Sequence, residues 1–504
     1  MLLTDSLTMK AADRNAIEVS EIPSTLLMTN AAEALAETVR EYLAPGQKVL
    51  LFCGTGNNGG DGIAAAVQLL KWGYGVYAYL VGNPEKMTAE TKEMERRLQE
   101  MGETLLPFDE KADLSEAMSE SSVMVDALFG IGLSRPIEGD ALRAVKLMNG
   151  SSLPVVSCDI PSGVSADTGE ILGDAVRADA TVTFTMAKVG HFASPGCTCR
   201  GKLHVADIGI PGEYLFGCGI KAVTGADLTI PPRNKTAHKG DFGKVLVAGG
   251  SIGYTGAPTL SAKAALRCGA GLVSVGVPEP IYQITAIKNE EAMPFPLAGG
   301  EDGKLAEAAL PVLMDHLETV NAAVLGPGLG RSEAVTEIVC KAVENCSCPL
   351  VLDADALYAI REDCDILRRS PALCIITPHE GEFARLIGHE CKNRIDEAYQ
   401  FAKTYHCVVV LKGCGTVTAF PTGEIYLNST GGPALAKGGT GDVLSGMIAA
   451  LLCRLPVRQA VTTAVWLHGR AGDICAETLG ENAVLASDVI KAIPQAMREI
   501  EERK

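Results

Sequence analysis

Lys48-Val-Leu-Leu-Phe-Cys53, then Gly54-Thr-Gly-Asn-Asn-Gly-Gly-Asp-Gly62, then the apolar run Ile63 to Trp72, is the stretch that decides the architecture. A short run of branched and aromatic residues reads as a buried strand, the glycines as a tight turn, and the last segment as a helix. Gly54, Gly56 and Gly59 spell GxGxxG between strand and helix, where glycines let a helix N-terminus approach an anion. A Rossmann dinucleotide site also wants an acidic residue closing the second strand, but this one ends Leu80-Val-Gly-Asn83. No GK[ST] follows, so the turn is not a Walker loop. It still holds two adjacent amides and a carboxylate, more than a turn requires.

The same alternation extends outward. Val76 to Val81, Val123 to Phe129, Pro154 to Asp159 and Thr181 to Met186 read as further strands separated by helical patterns. Ahead of them, Ala31 to Leu43 places Ala31, Leu35 and Val39 on one helical face. Periodicity fades over Pro211 to Lys239, which reads as a linker. A second series runs through Lys244 to Ala248, Leu272 to Val277, Ala323 to Leu325, Pro349 to Leu352, Leu373 to Ile376 and Cys407 to Leu411. Strands alternating with helices predict mostly parallel sheets covered on both faces. The expected fold is therefore two tandem three-layer α/β/α domains, residues 1–221 and 222–504.

Composition bounds the function. The chain has 504 residues, 47% of them hydrophobic, and a formal charge of -17. Without clustered Lys and Arg, that charge argues against nucleic acid as a partner. The absence of a long apolar run or a signal-like leader leads to the expectation of a cytoplasmic protein with no membrane partner. The 16 cysteines read as reduced core thiols. The two CxC pairs, Cys197-Thr-Cys199 and Cys346-Ser-Cys348, lack partners at zinc-ribbon spacing.

Two more strand ends carry polar residues at the presumed carboxyl edge of the first sheet: Asp126 with Gly130-Ile-Gly-Leu-Ser-Arg-Pro136, and Asp159 with Ile160-Pro-Ser-Gly163. Ligands bind at that edge in open α/β sheets, so these segments and the first turn are expected to converge. On these motifs, residues 10 to 215 resemble the NAD(P)H-hydrate epimerase domain, which is Rossmann-like. The resemblance implies that Asn57, Asn58, Gly59, Gly60 and Asp61, with Gly130, Ile131, Gly132, Leu133, Ser134, Arg135 and Pro136, hold the hydrated nucleotide. It implies a potassium ion on Asn58, Asp126 and Ser162, and Asp159 as a catalytic residue touching the substrate. C6 of the hydrate is a hemiaminal carbon, which inverts if its C–O or ring C–N bond opens reversibly with acid/base help.

In the second half, Gly438-Gly-Thr-Gly-Asp-Val-Leu444 puts a glycine turn and one carboxylate at the start of an apolar helix. Backbone N–H groups and the helix dipole would cradle an anion there, with Asp442 placed to take a proton from an attacking hydroxyl. Lys412-Gly-Cys-Gly-Thr416 follows an apolar strand and offers a cation and glycine amides to a nucleotide. With His238 to Pro258, Gly326-Pro-Gly-Leu-Gly330, Leu352-Asp-Ala-Asp-Ala-Leu357 and Thr377-Pro-His-Glu-Gly-Glu-Phe383, these segments resemble the ADP- or ATP-dependent NAD(P)H-hydrate dehydratase domain, a ribokinase-like fold. By that resemblance Ala257, Gly328, His379 and Asp442 touch the hydrated nicotinamide, with Asp442 the catalytic proton acceptor. Lys412, Gly413, Cys414, Gly415, Thr416, Gly438, Gly439, Thr440 and Gly441 would bind ADP or ATP with magnesium. Where the family usually has Asn-Pro-Gly-Met, this chain reads Gly432-Pro-Ala-Leu435.

Taken together, the resemblances imply a bifunctional repair enzyme. It would interconvert the R and S forms of NADHX and NADPHX and dehydrate the S form through a phosphorylated hydrate. They also imply a homo-oligomer. Two other readings stay open: a ribokinase-like kinase for a vitamin or sugar alcohol, and a first domain that is a silent binding or scaffold module.

Overall fold

A computed structural model describes residues 1–502. The chain divides into two compact units, Leu2–Ile220 and Lys221–Lys504 with Met1. Each is built on one sheet with helices on both faces.

The first sheet contains β1 (Lys48–Cys53), β2 (Gly75–Leu80), β3 (Leu105–Pro107), β4 (Ser121–Ala127), β5 (Val155–Cys158), β6 (Ala180–Phe184) and β7 (Lys202–Ala206), in the order β3-β2-β1-β4-β5-β6-β7. Every pairing is parallel, and the order is that of a Rossmann sheet. Strand periodicity explains its two cores. Val49, Leu51 and Cys53 face the helices Ser24–Arg40 and Asn57–Lys71, while Leu50 and Phe52 face Ala144, Val145 and Met148 of the helix Gly139–Gly150. Phe52 meets Phe108 edge-on, with ring centres 5.4 Å apart. Burying a side chain of that size contributes roughly 2 to 3 kcal/mol.

One expectation is corrected here. The helix after β1 begins at Asn57, not Ile63, so the Asn-Asn-Gly-Gly-Asp run is its first turn. Three glycines make a poor helix by propensity, but packing requires them. A Cβ on Gly59 would lie 1.8 Å from the Gly54 carbonyl oxygen, and one on Gly62 2.4 Å from Ala127 Cβ.

The second sheet contains β8 (Ile220–Val223), β9 (Lys244–Ala248), β10 (Leu272–Pro278), β11 (Met293–Leu297), β12 (Ala322–Leu325), β13 (Leu350–Leu352), β14 (Cys374–Ile376), β15 (Val408–Leu411), β16 (Val417–Ala419) and β17 (Ile425–Asn428). Its order is β11-β10-β9-β12-β13-β14-β15-β16-β17-β8, parallel as far as β15 and antiparallel through β16 and β17. Val245 and Val247 of β9 pack with the helices Gly256–Arg267, Thr440–Leu452, Val457–Leu479 and Ala486–Glu501. The carboxyl ends of β9, β12, β13, β14 and β15 consequently lie side by side. Among the described residues no helix is long and apolar enough to cross a membrane.

Candidate active sites

In the first unit the strand order reverses between β1 and β4, and a cavity of about 560 Å³ opens at that end of the sheet. Asn57, Asn58, Asp61, Gly130, Ile131, Gly132, Leu133, Ser134, Arg135 and Asp159 all line it. Gly59, Gly60 and Pro136 do not: Gly59 is pressed onto Gly54, and Gly60 onto Met28.

Asp159 follows β5 with a left-handed backbone, φ 65°. That conformation is strained for a non-glycine residue and aims its carboxylate at the cavity. The buried Lys188 donates from Nζ to Asp159 Oδ1 at 2.6 Å, to Thr183 Oγ1 at 2.8 Å and to the Phe184 carbonyl at 3.2 Å. Burial alone would raise the Asp159 pKa, but the Lys188 ammonium more than offsets it, and the carboxyl sits below its ordinary value. Two further carboxyls face the same space. Burial holds Asp61 well above the usual carboxylate range, with the Asp159 and Asp13 charges adding to the effect. Asp13 is pushed up to about 6 by burial, against the pull of Lys188.

Asp126 lies deeper, fully buried. Ser157 Oγ and the Ser162 amide donate to its Oδ2 at 2.8 Å each, and Ser162 Oγ to its Oδ1 at 2.6 Å. The Phe129 amide donates to Ser162 Oγ at 2.9 Å, and the next residue, Gly130, lies against both Asn58 Oδ1 and Asp159 Oδ2. Asn58 Nδ2 is buried without a hydrogen-bond partner.

In the second unit the helix Thr440–Leu452 starts at Gly439, φ 95°, and places Asp442 in its first turn. Lys412, after β15, donates to Asp353 Oδ1 at 2.9 Å and lies 3.8 Å from Glu382 Oε2. A Cβ on Gly441 would stand 3.3 Å from Lys412 Nζ, so the glycine turn and the lysine share one cleft. Burial drives the Asp442 pKa up to about 7, aided by the Asp353 charge and opposed by Lys412. Burial would lower Lys412, but Asp353 and Glu382 hold it above its ordinary value. Such a carboxyl is poised to accept a proton near neutrality.

The glycine-rich loop after β12 closes the other side. A Cβ on Gly326, φ 126°, would be 1.8 Å from the Asp353 carbonyl oxygen, and one on Gly328 3.3 Å from Ala257 Cβ. Asp355 accepts from the Gly330 amide at 2.8 Å. His379 caps the helix Glu380–Ile387 and stands 3.5 Å from Glu382, which links it to Lys412. His468, kept neutral by burial with its pKa lowered to about 4, reaches the backbone of Thr440 beneath the glycine turn.

Comparison with known proteins puts both centres in one context. The model of the NAD(P)H-hydrate dehydratase family matches residues 245–495, and that of the YjeF-related protein N-terminus residues 24–190. The bifunctional NAD(P)H-hydrate repair enzyme Nnr of Moorella thermoacetica is 36% identical over 100% of this chain and 98% of its own length. Its counterpart in Thermofilum pendens is 37% identical over 98% of this chain and 95% of its own length. The chain belongs to the bifunctional NAD(P)H-hydrate repair enzyme family. A crystal structure of the ADP/ATP-dependent NAD(P)H-hydrate dehydratase from Bacillus subtilis, co-crystallised with ATP and Mg²⁺, is 32% identical. It covers 56% of this chain and 100% of that one, with a TM-score of 0.49. For this repair enzyme, sequence reasoning missed Asp13, Lys188 and His468, none of which falls in a recognisable spacing, while Glu382 lies inside the quoted Thr377 to Phe383 motif without having been given a role.

Proposed function

We propose that the first unit, residues 1–221, is the epimerase of R- and S-NAD(P)HX, and that the second, residues 222–504, dehydrates the S form using ADP or ATP. The observation that carries the second assignment is the Asp442 carboxyl, half-buried at a helix N-terminus beside Lys412 and Asp353. Asp442 takes the proton of the C6 hydroxyl as its oxygen attacks the terminal phosphoryl group. The amides of Gly438, Gly439, Thr440 and Gly441, with the Lys412 to Thr416 loop, hold the charge that develops there. Phosphate then departs with the C6–O electron pair, and loss of a C5 proton restores the dihydropyridine. Phosphate leaves far more readily than hydroxide. Ala257, Gly328 and His379 position the nicotinamide hydrate.

Among the described residues no group of three or more His, Cys, Asp or Glu side chains is arranged to hold a metal alone. Magnesium would therefore arrive on the nucleotide, drawn to a cleft in which Asp353, Asp355, Glu382 and Asp442 outnumber Lys412. In the epimerase centre, Asn58, Asp126 and Ser162 form an oxygen-bearing set free of thiol and imidazole, which suits a hard cation such as potassium. The unpartnered Asn58 amide fits this, since exchanging its two ends turns an oxygen into that position. Potassium bound there would supply fixed positive charge beside the substrate. A cytoplasmic location accords with the free state of the 16 cysteines, and a homo-oligomer with the family resemblance.

An equal mixture of R- and S-NADHX, given the enzyme and ADP or ATP with magnesium, tests the assignment through absorbance at the reduced-nicotinamide band. Full recovery is expected. A stall near half-recovery, at the spontaneous epimerisation rate, would remove the epimerase; no recovery, with a stable phosphate ester instead, would favour a small-molecule kinase.

A further inference from the structure

The helix Ser6–Glu18 precedes the residues matched by the YjeF-related model, which start at 24, yet it forms one wall of the epimerase cavity. Met9, Asp13 and Ile17, spaced one turn apart, line that cavity, while Ala12 and Ala16 are buried in the core. The wall is firmly anchored. Ser6 donates from its amide and its hydroxyl to Asp167 at 2.6 and 2.8 Å. The Thr4 amide donates to the Ala187 carbonyl at 3.0 Å, and the Val189 amide to the Thr4 carbonyl at 3.2 Å. Thr4 thus brackets Lys188, the residue that holds Asp159.

Inversion at C6 needs two protonation states at once. On one route an acid protonates the hydroxyl, the C6–O pair leaves as water, and the ring nitrogen supplies the electrons of a C=N bond. Water then adds to the opposite face and gives its proton to a base. On the other route a base removes the hydroxyl proton, C6 becomes an aldehyde carbon, and the ring nitrogen takes the C–N pair and a proton from an acid. Closure on the other face reverses these transfers. Either way one proton is given and one is taken, with no oxidation or reduction. Asp159, bound to the Lys188 ammonium, starts ionised and is placed to be the base, so a different group must bring the proton that is given.

We propose that Asp13 is the second proton-transfer group of this centre, supplying the proton that the ionised Asp159 lacks. The assignment rests on the epimerase reading above. Asp13 lines the same cavity as Asp159 and Lys188, and its carboxyl makes no hydrogen bond to another side chain or to the backbone of a described residue, so it is available to a ligand. The groups facing it are Asp61 from the helix Asn57–Lys71, Asp159 after β5, and Lys188; Lys10 and Glu90 also line the space. Burial and the neighbouring Asp159 and Asp13 charges hold Asp61 well above the usual carboxylate range. Asp13, at about 6, exchanges its proton.

The test uses the full chain without nucleotide, so that only exchange between separated R and S epimers is followed, for wild type, Asp13→Asn and Asp13→Glu across pH 5 to 9. Wild-type exchange is expected to fall as pH rises beyond about 6, because the acid form is consumed. Asp13→Asn should lose about 10²- to 10³-fold in kcat with KM within about threefold, and should lose that pH limb. Asp13→Glu should restore the limb at part of the rate. No wild-type exchange would remove the epimerase reading itself. Normal wild-type exchange with Asp13→Asn inside threefold, or with the limb intact in Asp13→Asn, would overturn Asp13 alone. So would a rise in KM that Asp13→Glu fails to correct, which would mark Asp13 as a structural residue.

Discussion

Replacing Asp442 by Asn should slow the dehydratase and steady its fold, and the second effect should depend on pH. A carboxyl whose pKa rises from 3.8 to about 7 on folding binds its proton more tightly in the native state, a difference worth up to about 4 kcal/mol. Residual solvent contact lowers that to on the order of 2 kcal/mol. Because the folded pKa is the raised one, the stability is intact below about pH 4 and is lost as pH climbs through about 7. Asparagine has no such charge to bury. Thermal melts of wild type and Asp442→Asn at pH 5 and pH 8 should therefore diverge. The variant's advantage should be about 2 to 5 °C larger at pH 8, since roughly two-fifths of the effect is already lost by pH 5, by the usual relation of free energy to melting temperature in a domain of this size. Comparing the two pH values cancels any packing change that asparagine brings. In the same preparations, NADH recovery with ADP or ATP should fall about 10²- to 10⁴-fold. In wild type, recovery at pH 6 should be about a tenth of its plateau, the fraction of a group with pKa about 7 that is ionised there. A stability difference independent of pH, or a variant that still dehydrates within threefold of wild type, would refute the buried-base account.

Lys412→Met removes the cation that opposes protonation of Asp442, so the acid limb of dehydration should move to higher pH, and an unchanged limb would contradict the shared cleft. Lys188→Met strands the buried Asp159 carboxylate; epimerisation should drop steeply, and the first unit should lose about 3 to 5 kcal/mol in denaturant titration. Gly326→Ala would drive a Cβ into the Asp353 carbonyl at a backbone angle that alanine rarely adopts, so the loop must shift. Soluble yield, melting temperature and dehydration should all fall, while epimer exchange should persist. Exchanging potassium for sodium should slow epimerisation and leave dehydration by ADP with magnesium unaltered, read by the two assays in parallel.

Much of this architecture is legible in residue patterns because its strands are fully buried. β1 and β9 match the expected bounds, since runs such as Val49 to Phe52 admit no other reading. Some short strands escape. β3 is three residues long with two exposed, and the antiparallel pair β16 and β17 follows β15 too closely for its own period to register. The helix start at Asn57 escapes for another reason: tertiary contact at Gly59 and Gly62 overrides propensity. At the sites, glycine turns and strand-end carboxylates announce themselves because function and backbone geometry coincide there. Lys188 and Asp13 do not. Asp13 reads as a polar position on an amphipathic helix, and Lys188 as an ordinary loop lysine; only the crossover from β6 and the course of the first helix bring both to Asp159.

The bracket that Thr4 forms around Lys188 joins residues about 180 positions apart along the chain. On a ribosome adding about 5 to 20 residues per second, the segment that walls the cavity emerges on the order of ten seconds or more before the lysine it must clasp. Until then its apolar face has no lasting home and is open to chaperones. A nascent chain arrested short of that lysine would lack the clasp on the wall and the base's counter-charge together, so the cavity cannot be completed until residue 188 of the 504 has been made.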